Sequence, residues 1–342
     1  MSLIKYIIKR LIAMVPVLFG VLTLTFVLSR LMPGDPVIAL LQAQGVTHPN
    51  PARIAAMRRQ LGLDLPIILQ YFRYIADLFT GNWGQSVSVA TGTEVWELIA
   101  RRLPRTIDLS VFSIIIASYV GIKVGVISAT HRNKAKDTIF RGIALIGVSV
   151  PIFFLGMLMQ FYLGYIVEIF PTVGYKQVEY ADPPFVTGFF LIDSLLGGYY
   201  YLVWDYLWHI SMPVFCLAFI TIAGIVRQTR SSMLEVLQQD YVRTARAKGC
   251  KEKDVIHTHA LKNALIPTVT VIGLNFAGLL GGAVLTETTF GIYGIGLTLV
   301  DAIERQDYWV LNAVVFVITM IFVLTTLVTD LLYGVIDPRI RY

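Results

Sequence analysis

Residues able to do chemistry are sparse in this chain, and their spacing argues against most chemistries. His257 and His259 stand two apart. On a helix that turns them about 200° from each other, so they do not share a metal. The five histidines form no ligand cluster by spacing, and no metal site is expected. His209 sits at the edge of an apolar run and reads as an interfacial residue, since no Ser–His–Asp arrangement can be built around it. The run Gly291-Ile-Tyr-Gly294-Ile-Gly296 has the wrong spacing for a dinucleotide fingerprint and reads as a tight outer turn. Nowhere does Gly-x4-Gly-Lys-[Ser/Thr] occur, so any nucleotide that serves this protein binds to another chain. The expectation is no catalytic residue, no cofactor and no metal in this chain.

What remains is charge and shape, concentrated in residues 227–267. Between 227 and 263 there are eight Lys/Arg against four Asp/Glu. The segment is far longer than a connector needs, and such loops are functional or disordered. Disorder does not fit. Met233, Leu234, Val236 and Leu237 give an apolar face, Tyr241 to Ala247 continue with good helix formers, and Val255, Ile256 and Leu261 begin another helix. Gly249 can end the first helix in a left-handed conformation. A short basic helix stopped by glycine forms a rigid knob able to transmit force to a soluble partner.

The elements that must hold such a knob are set by composition. The 342 residues are 56% hydrophobic and only 15% charged, with a mean hydropathy of +0.69. No soluble core hides so much apolar surface, so lipid is the solvent for much of the chain. The net charge of +6 fits basic loops on one membrane side better than nucleic acid binding. Cys216 and Cys250 fall in an apolar run and a basic loop, so no disulfide is expected. A spanning helix needs about 20 apolar residues, and six stretches qualify: 11–29, 107–130, 142–167, 210–226, 267–286 and 309–329. Pro16 and Pro151 are expected within continuous spans, with neighbours satisfying the freed backbone groups. The first stretch reads as a retained helix rather than a removed signal peptide. Asp108, Lys123 and Asp330 all sit near span ends, which weighs against an ion-driven carrier. Asn275, Gly273, Gly278, Gly281 and Gly282 serve either close helix packing or a pore lining, and the two are compatible.

Orientation follows from the short loops. Residues 131–137 carry three basic residues against one acid, whereas 168–208 carry one against five and 287–308 one against four. With six spans every basic segment falls on one side, and both termini are cytoplasmic. Residues 33–105 are too long for the charge rule and read as a small ordered outer domain. Residues 51–61 and 71–79 there have helical periodicity, and Gly81, Gly84 and Gly92 mark turns. Residues 185–204 are apolar enough to span, but Asp193 and Gly197-Gly198 interrupt them, and a seventh span would put the basic loop outside. An interfacial or outer helical insertion is preferred, with Tyr199, Tyr200, Tyr201, Trp204 and Trp208 at headgroup level. The domain reading is 1–32, an outer domain 33–106, and a core 107–342 containing the cytoplasmic loop 227–266 and an outer insertion 176–206.

Asp240-Tyr-Val-Arg-Thr-Ala-Arg-Ala-Lys-Gly249 followed by His259-Ala-Leu-Lys-Asn263-Ala-Leu-Ile-Pro267 resembles the cytoplasmic signature loop of importer-type ABC permeases, dipeptide/oligopeptide/nickel branch. Further segments agree in order: Pro33-Gly-Asp-Pro36, Leu61-Gly-Leu-Asp64, Gly81-Asn-Trp-Gly84, Arg102-Leu-Pro-Arg-Thr106, Arg230-Ser-Ser-Met233, Glu287 with Phe290-Gly291, and Asp330-Leu-Leu-Tyr333 with Asp337-Pro-Arg339. Two departures stand out. The wider superfamily opens the loop with Glu-Ala-Ala, where this chain has Arg243, Thr244 and Ala245, so no glutamate role carries over. Residues 176–206 look longer than the branch usually has.

The resemblance implies an all-α integral membrane protein of the type I importer permease fold with six spans and an outer domain between the first two. It implies a non-enzymatic translocation subunit, the first permease of a pair, that carries di- or oligopeptides. Its partners would be a second homologous permease, two ATPase subunits that hydrolyse ATP, an extracytoplasmic substrate-binding protein and membrane lipid, with no nucleic acid. The ATPase-coupling residues would be Tyr241, Arg243, Thr244, Ala245, Arg246, Ala247, Lys248 and Gly249. Arg243, Arg246 and Lys248 would offer charge, and Ala245 and Ala247 would permit close approach. The same scaffold importing oligosaccharides or nickel, an ion-coupled secondary carrier, and a membrane-embedded enzyme are the alternatives.

Overall fold

The structure, a computed structural model, describes residues 3–31, 35–43, 45–46, 48–281 and 283–336. Pro33, Gly34, Gly282 and the tail bearing Asp337, Arg339 and Arg341 lie outside the described residues. The first helix, α1 (Leu3–Leu31), is apolar along nearly its whole length. Three shorter helices follow on one side: α2 (Pro36–Ala43), α3 (Pro51–Leu61) and α4 (Ile67–Thr80). Asn50 caps α3 by accepting from the Ala52 amide, Pro51 occupies its first turn, and Gly62 ends it at φ 68°. The helices α5 (Val95–Thr130) and α6 (Ala135–Ser149) come next, then α7 (Ile152–Met159), which runs on as a π-helical stretch, Gln160–Ile166.

A single clean span at 142–167 is corrected by the structure. The two segments Ala135–Ser149 and Ile152–Ile166 meet at 100°. Pro151 has no amide hydrogen and presses the preceding residue out of the helical region, and Val150 is extended at φ −85°, ψ 122°. With Val150 extended, the chain turns through 100° here, so the proline acts as a corner rather than a tolerated kink. The helix α8 (Phe190–Leu196), at seven residues, is too short to cross a bilayer. The second half of the chain holds α9 (Tyr200–Val236), α10 (Asp240–Ala247), α11 (Glu252–Asp254), a π-helical stretch (Val255–Ala260) leading into α12 (Leu261–Leu280), then α13 (Val284–Phe290), α14 (Ile295–Glu304) and α15 (Tyr308–Ile336). Among the described residues five helices are long and apolar enough to cross a membrane, and the bent pair makes a sixth if it counts as one span.

Two of the long helices overrun their expected spans. At 36 residues α5 is about 54 Å long at 1.5 Å per residue. Residues 95–106, read with the outer domain, are its first turns. At 37 residues α9 starts among Tyr200, Trp204 and Trp208 and ends well past the apolar run. These two helices pack together from Asp108 and Tyr206 to Gly125 and Thr229. In lipid there is no hydrophobic gain on pairing, so close approach through small residues decides the partner. A Cβ on Gly121 would stand 2.7 Å from Ile225 Cγ2, and one on Gly125 would stand 2.6 Å from Thr229 Cβ. Ser113 donates to the Val214 carbonyl at 3.2 Å, and Tyr206 donates to Asp108 at 2.7 Å.

Two buried carboxylates, Asp307 and Glu287, fasten the elements around the start of α5. Asp307 accepts from Ser86 Oγ at 2.6 Å and from the amides of Val87, Ser88 and Val89, which pins the 85–94 loop to the start of α15. Glu287 accepts from Thr106 Oγ1 at 2.5 Å and from the Leu297 amide at 2.9 Å, tying α5, α13 and α14 together. No metal-ligating cluster occurs among the described residues.

Candidate functional site

The knob sits at the end of α9 opposite its aromatic start. The sequence Leu237-Gln-Gln239 makes a turn and α10 begins at Asp240, whose carboxylate faces the positive end of the helix dipole. With 3.6 residues per turn, Val242 and Ala245 share one face. Both are buried, against Val255 with Val236 and Leu237 alongside. The small side chain of Ala245 permits close approach to the protein's own π-helical stretch. Tyr241, Arg243, Thr244, Arg246, Ala247, Lys248 and Gly249 are exposed.

The helix ends as its glycine requires. Gly249 has φ 78°, the Gly249 amide donates to the Arg246 carbonyl at 2.9 Å, and the Cys250 amide donates to the Ala245 carbonyl at 3.2 Å. A Cβ at Gly249 would meet nothing within 4 Å, so the demand for glycine there comes from the backbone alone.

The coupling residues differ in freedom. Arg246 donates from Nη2 to Glu252 Oε1 at 2.7 Å and from Nε to Oε2 at 3.1 Å. That fork holds the guanidinium above its usual pKa. Arg243 reaches Asp240 at 3.5 Å, a weak exposed pair. Thr244 Oγ1 donates back to the Asp240 carbonyl at 2.9 Å. Asn263 Nδ2 donates to Tyr241 Oη at 2.8 Å. The two halves of the motif, ten residues from Asp240 and the run around Asn263, thus meet through this bond.

The stem is clamped from all sides. Met233 is buried with Val126, Ala129, Ala260 and Ala264, which joins the inner ends of α5, α9 and α12. Arg230 donates from Nε to Asp137 Oδ1 at 2.7 Å and from Nη2 to Oδ2 at 2.9 Å. Ser128 Oγ and the Asn133 amide complete the Asp137 carboxylate at 2.5 Å and 3.0 Å. Sequence reasoning placed Asn263 in the motif without its bond to Tyr241, and missed Glu252 and Asp137. Only Glu252 carried a local signal, an acid placed one turn beyond a basic helix. Asp137 and Arg230 lie 93 residues apart, and nothing in the spacing pairs them.

The chain resembles known proteins end to end. Residues 121–342 match the family described as the binding-protein-dependent transport system inner membrane component, and residues 3–110 match the N-terminal family of such membrane components. The dipeptide transport system permease protein DppB of Alkalihalophilus pseudofirmus is 41% identical over 341 residues, covering 99% of this chain and 100% of the relative. DppB of Escherichia coli K12 is 41% identical over 342 residues, covering 99% of each. The di/tripeptide transport system permease protein DppB of Pseudomonas aeruginosa is 41% identical over 340 residues, again covering 99% of each. Among solved structures, the inward-facing MetNI methionine ABC transporter matches with a TM-score of 0.54 at 17% identity, covering 71% of this chain and 97% of that one. That likeness speaks to the fold.

Proposed function

This chain belongs to the binding-protein-dependent transport system inner membrane component family, and from that premise we propose that it is one of two permease subunits of an ATP-driven importer of dipeptides. It is a multi-pass membrane protein, read here with both termini and α10 on the cytoplasmic side. A second, homologous permease encloses the path with it. Two ATPase subunits bind below, and an extracytoplasmic binding protein delivers the cargo from above. Three relatives that carry dipeptide or di/tripeptide transport names, each matched over 99% of this chain, support that cargo.

The observation that carries the mechanism is the geometry of α10. Its inner face is fixed by Val242 and Ala245, and its outer face presents Tyr241, Arg243, Thr244, Arg246, Ala247 and Lys248 without apolar cover. A helix with one face seated and the other polar and free suits a cleft in a soluble protein. When ATP closes the ATPase pair, that cleft moves and α10 moves with it. The spans then exchange between outward-open and inward-open arrangements, a two-state element biased by a ligand that favours one state. The chain's own residues contribute positioning, and the phosphoryl chemistry takes place in the partner.

Uptake of labelled dipeptide into proteoliposomes holding the complete complex tests this reading. Uptake that requires both ATP and the binding protein is expected. Uptake by this chain with its homologous permease alone, driven by an ion gradient, contradicts it.

A further inference from the structure

The bent pair α6 and α7 raises a mechanical question, because α6 packs on α5 and α9 along one narrow face while the rest of its surface is exposed. Of its fifteen residues only Asp137 and Gly147 are buried. Ile139, Ile143, Leu145, Ile146 and Val148 are all exposed. Gly147 lies against Ala223 and Phe219 of α9, an apolar contact of small atoms that resists sliding weakly. The polar attachment is Asp137, fully buried and gripped by both nitrogens of the Arg230 fork.

We propose that the Asp137–Arg230 pair is the joint that carries the displacement of α10 into α6, and through the Pro151 corner into α7. The proposal rests on the coupling role given to α10 above. Three observations carry it. First, Arg230 lies six residues before the end of α9, about 9 Å along the axis from the turn that starts α10. It therefore belongs to the stem that α10 pulls. Second, the contact is directional. Helices packed through apolar side chains shear past each other at small cost, whereas a bidentate guanidinium–carboxylate pair fixes both distance and orientation. Third, Asp137 has no slack. Ser128 of α5 and the Asn133 amide of the α5–α6 turn take its remaining lone pairs. Asn133 itself holds φ 62°, so the turn is shaped around the carboxylate. Midway along it, α7 meets α13 at Gly156, where a Cβ would stand 3.1 Å from Phe290 Cε2. A pull on the stem thereby reaches the outer elements tied by Glu287. Asp137 and Arg230 act as positioning residues and touch no cargo.

The test compares the wild-type complex with the paired variant Asp137→Asn and Arg230→Gln, in which neither charge is left buried alone, and with Arg230→Lys, which keeps the charge and loses the fork. Three quantities are measured: retention of the ATPase subunits on purification, binding-protein-stimulated ATP hydrolysis, and dipeptide imported per ATP hydrolysed. Spin labels at Lys136→Cys and Lys253→Cys, in a Cys250→Ser background, report whether α6 follows the knob. Cys216 is buried and stays in place. In the wild type the label distance is expected to be the same with and without trapped nucleotide, because the two segments move together. In both variants the ATPase subunits stay bound and hydrolysis continues, the import ratio falls several-fold, and the label distance changes on trapping. If the paired variant fails to assemble, Arg230→Lys alone decides. A variant that assembles, keeps the wild-type import ratio and holds the label distance constant overturns the proposal. A wild-type complex whose import ignores its ATPase subunits overturns the coupling reading instead, and the two failures are thereby told apart.

Discussion

At Gly249 a single backbone angle decides how the knob ends. Its φ of 78° lies where a β-branched residue is strongly disfavoured, yet the space around it is open. Gly249→Val is therefore expected to distort the α10 terminus by roughly 1–2 kcal/mol of local strain without a clash. Dipeptide uptake should fall at matched expression, and unchanged uptake argues that the terminus is not part of the coupling. Gly249→Ala should lie between the two. The free face makes a separate prediction. Arg243→Glu combined with Lys248→Glu changes exposed residues only, so stability should move by less than about 0.5 kcal/mol. Retention of ATPase subunits on purification should nevertheless drop. Ala245→Leu should behave in the opposite sense, since it overfills the contact with Val255 at about 1–3 kcal/mol. At this scale the sequence was legible where function is local. The helix formers from Tyr241 and the glycine that stops them could be read in order. The inward turn of Ala245 could not, because it depends on which face Val255 covers.

Helices were easier to foresee than their joints. Residues 51–61 form a helix with the expected ends because Asn50, Pro51 and Gly62 are local signals. The 100° break at Pro151 was hidden because the local sequence does not say whether a proline kinks a helix or turns it through a corner. The continuity of α9 through residues 227–236 was also hidden, since charge suggested a loop where the helix simply leaves the membrane. Two element-scale predictions follow from close contacts. Gly125→Val drives a side chain into Thr229 and should cost about 1–3 kcal/mol, read as a lowered midpoint of thermal unfolding in detergent. Thr106→Val removes the hydroxyl that donates to the buried Glu287 carboxylate. Thr106 Oγ1 also accepts from the Ile295 amide, so a loss of about 1–3 kcal/mol is expected on the same assay, and adding Glu287→Gln should recover only part of it.

For the whole molecule the physical picture is a transmission. The stem of α9, the end of α5, the start of α12 and the start of α6 form one block beside α10, from which the long helices run to the elements pinned by Asp307 and Glu287. Hydropathy made the spans readable, because lipid demands long apolar helices of any sequence. The links inside the block were not readable, because each joins residues far apart in the chain. The central claim is that the exposed face of α10 sits in a cleft of an ATPase subunit. Native cysteine chemistry tests it directly, since Cys250 is exposed one residue beyond Gly249 while Cys216 is buried. Single cysteines placed along the ATPase cleft should cross-link to Cys250 in the assembled complex, and the yield should change when nucleotide is trapped. No cross-link at any cleft position, from a complex that still imports dipeptide, would contradict the account.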